Sequence, residues 1–213
     1  MNALLYLLLI PVALIIISLV WRFASRRYTI PCPVWMKGLL DPPSAGGTSA
    51  RTRKTIEHLA IRPGMRVLDA GSGPGRLAIP LAGALGRDGE ATAIDIQEEM
   101  LHEAEKRARA AGLTNIRFLR MGLGDGGLEQ NHYDRALLIT VLGEIPDREA
   151  ALRDLFGALK PGGILLIEET IRDPHFQTRS TVRKLAGAAG FVETGFFGSR
   201  FSFTMTFEKH PVA

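Results

Sequence analysis

Residues 67–76 read Val-Leu-Asp-Ala-Gly-Ser-Gly-Pro-Gly-Arg, and no other stretch restricts the fold as much. A short apolar run, three glycines at alternate positions and helix-forming sequence beyond them predict a strand, a tight turn and a helix. Gly71, Gly73 and Gly75 let the backbone turn sharply and come close to a ligand. The N–H groups at the start of the helix then face that ligand. Asp69 stands two residues before the first glycine, a placement that suits a cationic amino group and repels a pyrophosphate. A nicotinamide-type fingerprint wants glycine at position 76, where this chain has Arg76. Asp95 closes the next predicted strand, 20 residues after Gly75, where an acid accepts both hydroxyls of a ribose.

The same alternation continues along the chain. Strands are predicted at 66–70, 90–96, 115–120, 133–140 and 164–168, with helices at 52–60, up to Leu85, at 98–111, 149–159 and 179–189. Lys160-Pro161-Gly162-Gly163 reads as the turn that closes the fourth of these helices. Two final strands, 191–197 and 201–208, flank Gly198-Ser199 and so pair antiparallel. Strands alternating with helices at this spacing imply a doubly wound α/β fold, its mainly parallel sheet covered on both faces. In such sheets ligands bind beyond the carboxyl ends of the strands. Composition narrows the class further. A single cysteine, Cys32, excludes a disulfide framework and a cysteine-based zinc cluster. Of the net charge of +4, residues 22–62 contribute +6, with eight basic and two acidic side chains, so the remainder carries −2. That asymmetry argues against a nucleic-acid groove across the domain and for a local anionic neighbour near the N-terminus.

Residues 3–21, ALLYLLLIPVALIIISLVW, carry no charge. As a helix they span roughly 28 Å, close to the hydrocarbon thickness of a bilayer. Arg22, Arg26 and Arg27 follow, and Trp21 and Tyr28 suit an interface. The expectation is one transmembrane helix at 3–21 and a basic juxtamembrane linker at 22–50 rich in proline. A domain at 51–213 follows, held in the cytoplasm by the positive-inside rule. Arg51, Arg53 and Lys54 at the domain entrance are candidates for anionic headgroups or an acidic substrate.

Residues 51–208 resemble a class I S-adenosylmethionine-dependent methyltransferase of the seven-stranded kind. VLDAGSGPG is similar to the first motif of that family, AIDIQEEML to its second, and LKPGGILLIEE to the motif around its fifth strand. The resemblance implies strand order 3-2-1-4-5-7-6 and S-adenosylmethionine as cofactor. It implies that Gly71, Ser72 and Gly73 run beside the methionine part within the turn completed by Gly75, with Asp69 near the amino group. Asp95 would hold the ribose, Ile96 would pack on adenine, and Thr140 would border the cofactor from the fourth strand. Gly122 occupies the slot where the family often carries a polar adenine ligand, so Leu123 backbone groups or Asp125 must serve. The Asn/Asp-Pro-Pro-aromatic signature of methylases acting on planar amino groups is absent after the fourth strand, where Thr140-Val141-Leu142-Gly143-Glu144 stands.

Methyl transfer is an in-line displacement for which a protein mainly supplies alignment and desolvation, with a base where the acceptor arrives protonated. Glu144 and His175 are the catalytic candidates, on the loops after the fourth and fifth strands. Glu168-Glu169 is a carboxylate pair, but successive strand residues face opposite ways, which argues against one shared site. The other histidines show no ligand spacing, so no metal is expected. The expected function is methyl transfer to a lipophilic small molecule such as a quinone precursor, a lipid or a thiol, because a tether raises the effective concentration of membrane-dissolved acceptors. Lysine methylation of a membrane protein and a non-catalytic cofactor-binding regulator are the alternatives.

Overall fold

In the computed structural model, residues 49–210 are described throughout, together with ten helical residues between Leu9 and Arg27. Strands β1 (Arg66–Ala70), β2 (Glu90–Asp95), β3 (Ile116–Arg120), β4 (Tyr133–Ile139), β5 (Leu159–Thr170), β6 (Phe191–Gly198) and β7 (Ser202–Lys209) form one sheet. Its order is β3-β2-β1-β4-β5-β7-β6. The first five strands are parallel, and β7 lies antiparallel between β5 and β6, as the sequence implies.

Strand alternation sends neighbouring side chains to opposite faces. Leu68, Ala70, Leu138, Leu165 and Ile167 pack with Leu152 and Leu155 of α4 (Arg148–Ala158) and with Val182 and Ala186 of α5 (Arg179–Ala188). Val67, Leu137, Ile139 and Leu166 pack on the other face, with Leu59 of α1 (Ala50–Leu59) and with Leu77, Leu81 and Leu85 around α2 (Ala78–Leu85). Helix α3 (Glu98–Ala110) covers β2 and β3. Helix starts follow capping chemistry. Ser49, Asp147 and Thr178 each accept a backbone N–H in the first turn of α1, α4 and α5.

One boundary differs from expectation. The 160–163 turn lies inside β5, which begins at Leu159. Tyr133 pairs with Leu159 and Arg135 with Ile164, so the residues between bulge out opposite Asp134. Pro161 has no N–H to give the ladder, and Gly162 takes a positive φ of 76°. Lys160 closes the bulge by bonding Asp134 Oδ1 at 2.7 Å.

Among the described residues, no helix is long and apolar enough to cross a membrane. The spanning helix expected at 3–21 is therefore not found, and much of that stretch, with residues 28–48 of the linker, lies outside the described residues. The described part is helical, and Leu9, Ile10, Val12, Ile16, Leu19, Val20 and Phe23 are all more than half exposed.

Candidate active site

The glycine-rich turn after β1 hangs from β2: the Gly71 and Ser72 amides both donate to Ile94 O, at 2.9 and 3.0 Å. Gly71 has a φ of 74°, and a Cβ there would stand 2.5 Å from Val141 Cγ2. Glycine is thus required twice, for the left-handed backbone and for the close approach of the segment after β4. At Gly73 a Cβ would meet nothing within 4 Å, so the turn is open on its outer side.

Asp69 and Asp95 end adjacent strands and both are buried. Asp95 Oδ2 accepts the Gly73 amide and Oδ1 the Gln97 amide, each at 2.9 Å. Burial raises its pKa, while those amides oppose the rise. Each carboxylate oxygen keeps a further lone pair for a hydroxyl. Burial pushes Asp69 up to about 7, against the pull of the Arg76 charge and the Ala78 amide. Its Oδ2 is buried without a hydrogen-bond partner, as is Ser72 Oγ. Orphaned buried polar atoms beside an open glycine turn match a ligand that carries a cationic amino group. Ile96, just past β2, is 53% exposed, a flat apolar landing for an aromatic base. A Cβ built on Gly122 would lie 3.1 Å from Asp125 Oδ2 and 3.8 Å from Ile96 Cγ2. Asp125 thus fills, from three residues downstream, the position that Gly122 leaves without a side chain. Leu123 instead packs its side chain against the core. These residues fit S-adenosylmethionine at every part of the molecule.

Thr140 follows β4 with a φ of 58°, an outlier for a β-branched residue. Its amide donates to Glu168 O at 2.8 Å and its hydroxyl to Ile139 O at 2.6 Å. Strain of this kind concentrates at functional sites. The chain then makes a short 3-10 turn over Leu142–Glu144. Arg148 clamps this turn by donating to Leu142 O and Gly143 O, at 3.1 and 3.0 Å. A Cβ on Gly143 would collide with the backbone of His175, so the turn and the loop after β5 lie against each other.

The two catalytic candidates do come together. His175 Nδ1 is 3.7 Å from Glu144 Oε1 and 3.8 Å from Asp173 Oδ1. These separations exceed hydrogen-bond length, and both ring nitrogens are buried without a bond. With 4% exposure, His175 is enclosed, whereas Glu144 keeps 21% of its side chain exposed. The carboxylate pair splits as strand geometry demands. Glu168 faces α1, where it pairs with Arg51 and accepts from Thr55 Oγ1 at 2.9 Å. The expectation that Arg51 serves headgroups or an acidic substrate is corrected by this pairing: the guanidinium is committed to a buried carboxylate. Glu169 faces the other way, toward Glu144 and Asp173. Strand alternation separates the pair, but no local signal marks Glu169 as a neighbour of Glu144 and Asp173, because the loop after β5 folds back. Among the described residues, no cluster of histidine, cysteine and acidic residues is placed to hold a metal.

Comparison with known proteins bears on the family and the fold. A methyltransferase-domain family profile matches residues 61–188. The ubiquinone/menaquinone biosynthesis C-methyltransferase UbiE of Shewanella woodyi (strain ATCC 51908 / MS32) is 33% identical over 124 residues, 58% of this chain and 49% of its own. UbiE of Shewanella sp. (strain ANA-3) is 34% identical over the same length. The chain spans about half the length of these curated relatives. A SAM dependent methyltransferase from Aquifex aeolicus superposes with a TM-score of 0.74 at 23% identity, over 83% of this chain and 98% of that one. The [4+2]-cyclase SpnF gives 0.70 at 17%, over 89% and 96%. These two likenesses show the fold and no more. The family match covers more than half the chain, so the protein belongs to the class I S-adenosylmethionine-dependent methyltransferases, with S-adenosylmethionine as its cofactor.

Proposed function

We propose that the protein transfers a methyl group to a quinol-like, membrane-dissolved aromatic acceptor, with its N-terminal segment as a membrane anchor and its domain in the cytoplasm. The observation that carries this reading is the 33% identity to proteins named ubiquinone/menaquinone biosynthesis C-methyltransferases. The uncharged run at 3–21 and the arginines at 22, 26 and 27 support the anchor and its orientation.

Asp69 ionises and takes the amino group of the cofactor, while Gly71, Ser72 and Gly73 line its methionine part within the turn closed by Gly75. Asp95 holds the ribose through its free lone pairs. Ile96 and Asp125 take adenine, by a flat apolar contact and by a carboxylate for the exocyclic amine. The bound cofactor supplies an electrophilic methyl group on sulfur. Thr140 and Val141 place the acceptor side of the cleft against that half of the site. Glu144 receives the proton that the acceptor hydroxyl loses, and His175 orients Glu144 from behind. A partly exposed carboxylate and a buried imidazole 3.7 Å apart tighten when an acceptor excludes the remaining water.

The test is to incubate full-length protein with methyl-labelled cofactor and vesicles loaded with a demethylated quinol, using Asp95→Ala as the blank. Label in the organic phase, absent from the blank, is expected. Label confined to protein would overturn the reading in favour of a protein acceptor, and a truncation of residues 1–28 that turns over vesicle-borne quinol at the full rate would remove the anchor.

A further inference from the structure

Glu169 is the deepest acid of the acceptor half of the edge, 1% exposed at the carboxyl end of β5. Its Oε2 accepts the Gln177 amide at 3.0 Å, and its Oε1 is buried with no partner. The Gln177 side chain in turn donates to His175 O at 2.6 Å, so one residue ties Glu169 to the loop that carries the imidazole. The charged groups that act on Glu169 are Glu144 from the 3-10 turn, Arg148 from α4 and Asp173 from the loop after β5, and His175 lies beside Glu144 and Asp173. Across the ladder its register partner on β7 is Phe203, which has no charge.

This set contains two carboxylates, Glu144 and Asp173, already within 4 Å of the same imidazole nitrogen. A third anion would hold the ring as imidazolium and end its use as a proton carrier. A carboxyl with one oxygen bonded and the other enclosed without a partner keeps a proton instead, even with the Arg148 guanidinium acting on it. We propose that Glu169 is a positioning acid for the Glu144–His175 pair, neutral throughout turnover, so that this pair alone carries the exchangeable proton. When an acceptor hydroxyl loses its proton to Glu144 Oε1, the O–H electron pair stays on the acceptor oxygen. The proton then moves to His175 Nδ1, and the imidazolium is held by the Glu144 and Asp173 carboxylates. Glu169 neither gives nor takes a proton in that step. Its desolvation and the nearby acids raise its pKa to about 8, so ionisation of Glu169 switches the pair off in alkaline solution.

This inference deepens the reading of Glu144 as the acid that meets the acceptor, and its test needs no acceptor, so the two fail separately. Full-length protein labelled with 13C-histidine would be followed by NMR from pH 5 to 10, with the His175 signal identified by its loss in His175→Asn. In the wild type the His175 resonance is expected to show an extra inflection near pH 8, from Glu169. In Glu169→Gln, where the amide mimics the protonated acid, that inflection disappears and the ring's own midpoint moves by less than about 0.3 pH units. A fall of about one pH unit or more in that midpoint would mean that Glu169 is an anion paired with the ring, and would overturn the proposal. So would an inflection that persists in the variant. If Glu169→Gln does not fold, wild-type protein labelled at glutamate Cδ decides: one carboxyl titrating near 8 supports the proposal, and none above about 6 sinks it.

Discussion

Asp69 and Glu169 are both buried carboxyls at the carboxyl edge of one sheet, and burial raises the pKa of both, to about 7 and about 8. Their surroundings give the shared shift opposite uses. Asp69 sits beside Arg76, and its orphaned oxygen stands next to a glycine turn that is open on its outer side. It waits for a cation, and a ligand that brings one completes the site. Glu169 sits among other acids, with Gln177 covering one oxygen. The Arg148 charge that also acts on it does not offset its burial, and it stays neutral. The cofactor half of the edge is therefore finished by its ligand, whereas the acceptor half is finished by the fold itself.

That contrast can be attacked directly. Folded Glu169 keeps its proton to about pH 8, whereas the ordinary value is 4.5. Its contribution to stability is fully present below pH 4.5 and is lost as the pH rises through 8. Glu169→Gln should thus stabilise the protein by roughly 5 kcal/mol at pH 9 and leave it unchanged at pH 4, read by urea unfolding. Equal effects at both pH values would show that the carboxyl is not neutral in the fold. On the cofactor side, Asp95→Ala should weaken cofactor binding about 100-fold in calorimetry, since it removes the ribose acceptor and orphans the Gly73 and Gln97 amides. Glu144→Gln should do the reverse, leaving cofactor affinity within about twofold and lowering kcat roughly 100-fold. If either variant disturbed both quantities alike, the two halves would not be separable.

Asp69 must ionise to pair with an ammonium group, so cofactor affinity should rise with pH. From pH 6 to pH 8 the expected gain is about tenfold, and Asp69→Asn should flatten it. A flat wild-type profile would show that Asp69 is not the partner of the amino group. The smallest effect belongs to the far side of the sheet. Thr55→Val removes one bond to Glu168 and should cost about 1 kcal/mol in thermal unfolding while leaving kcat unaltered, because the Arg51 pairing persists.

The cofactor half was legible in advance because its chemistry is local. Asp69, Gly71, Ser72, Gly73 and Gly75 lie within seven consecutive residues, and Asp95 ends the very next strand. Strand periodicity alone placed Glu168 and Glu169 on opposite faces. The β5 boundary was missed because Pro161 and Gly162, the signals of a turn, form a bulge whose flanks resume pairing with β4. Arg51 was misassigned because nothing near position 51 announces a buried carboxylate 117 residues away.

The sequence by itself thus determined the order of strands and helices and the resemblance of its three motifs to the methyltransferase family, since each follows from patterns within one or two elements. Only the tertiary structure decided that Glu144 keeps part of its side chain exposed while His175 beside it is enclosed, that Asp125 fills the space left by Gly122, and that Gln177 bonds both Glu169 and the His175 carbonyl. Those outcomes depend on how loops from β3, β4 and β5 fold over one another, at Gly143 against the His175 backbone above all. Contacts between segments distant along the chain are set by packing and excluded volume, and no local pattern encodes them.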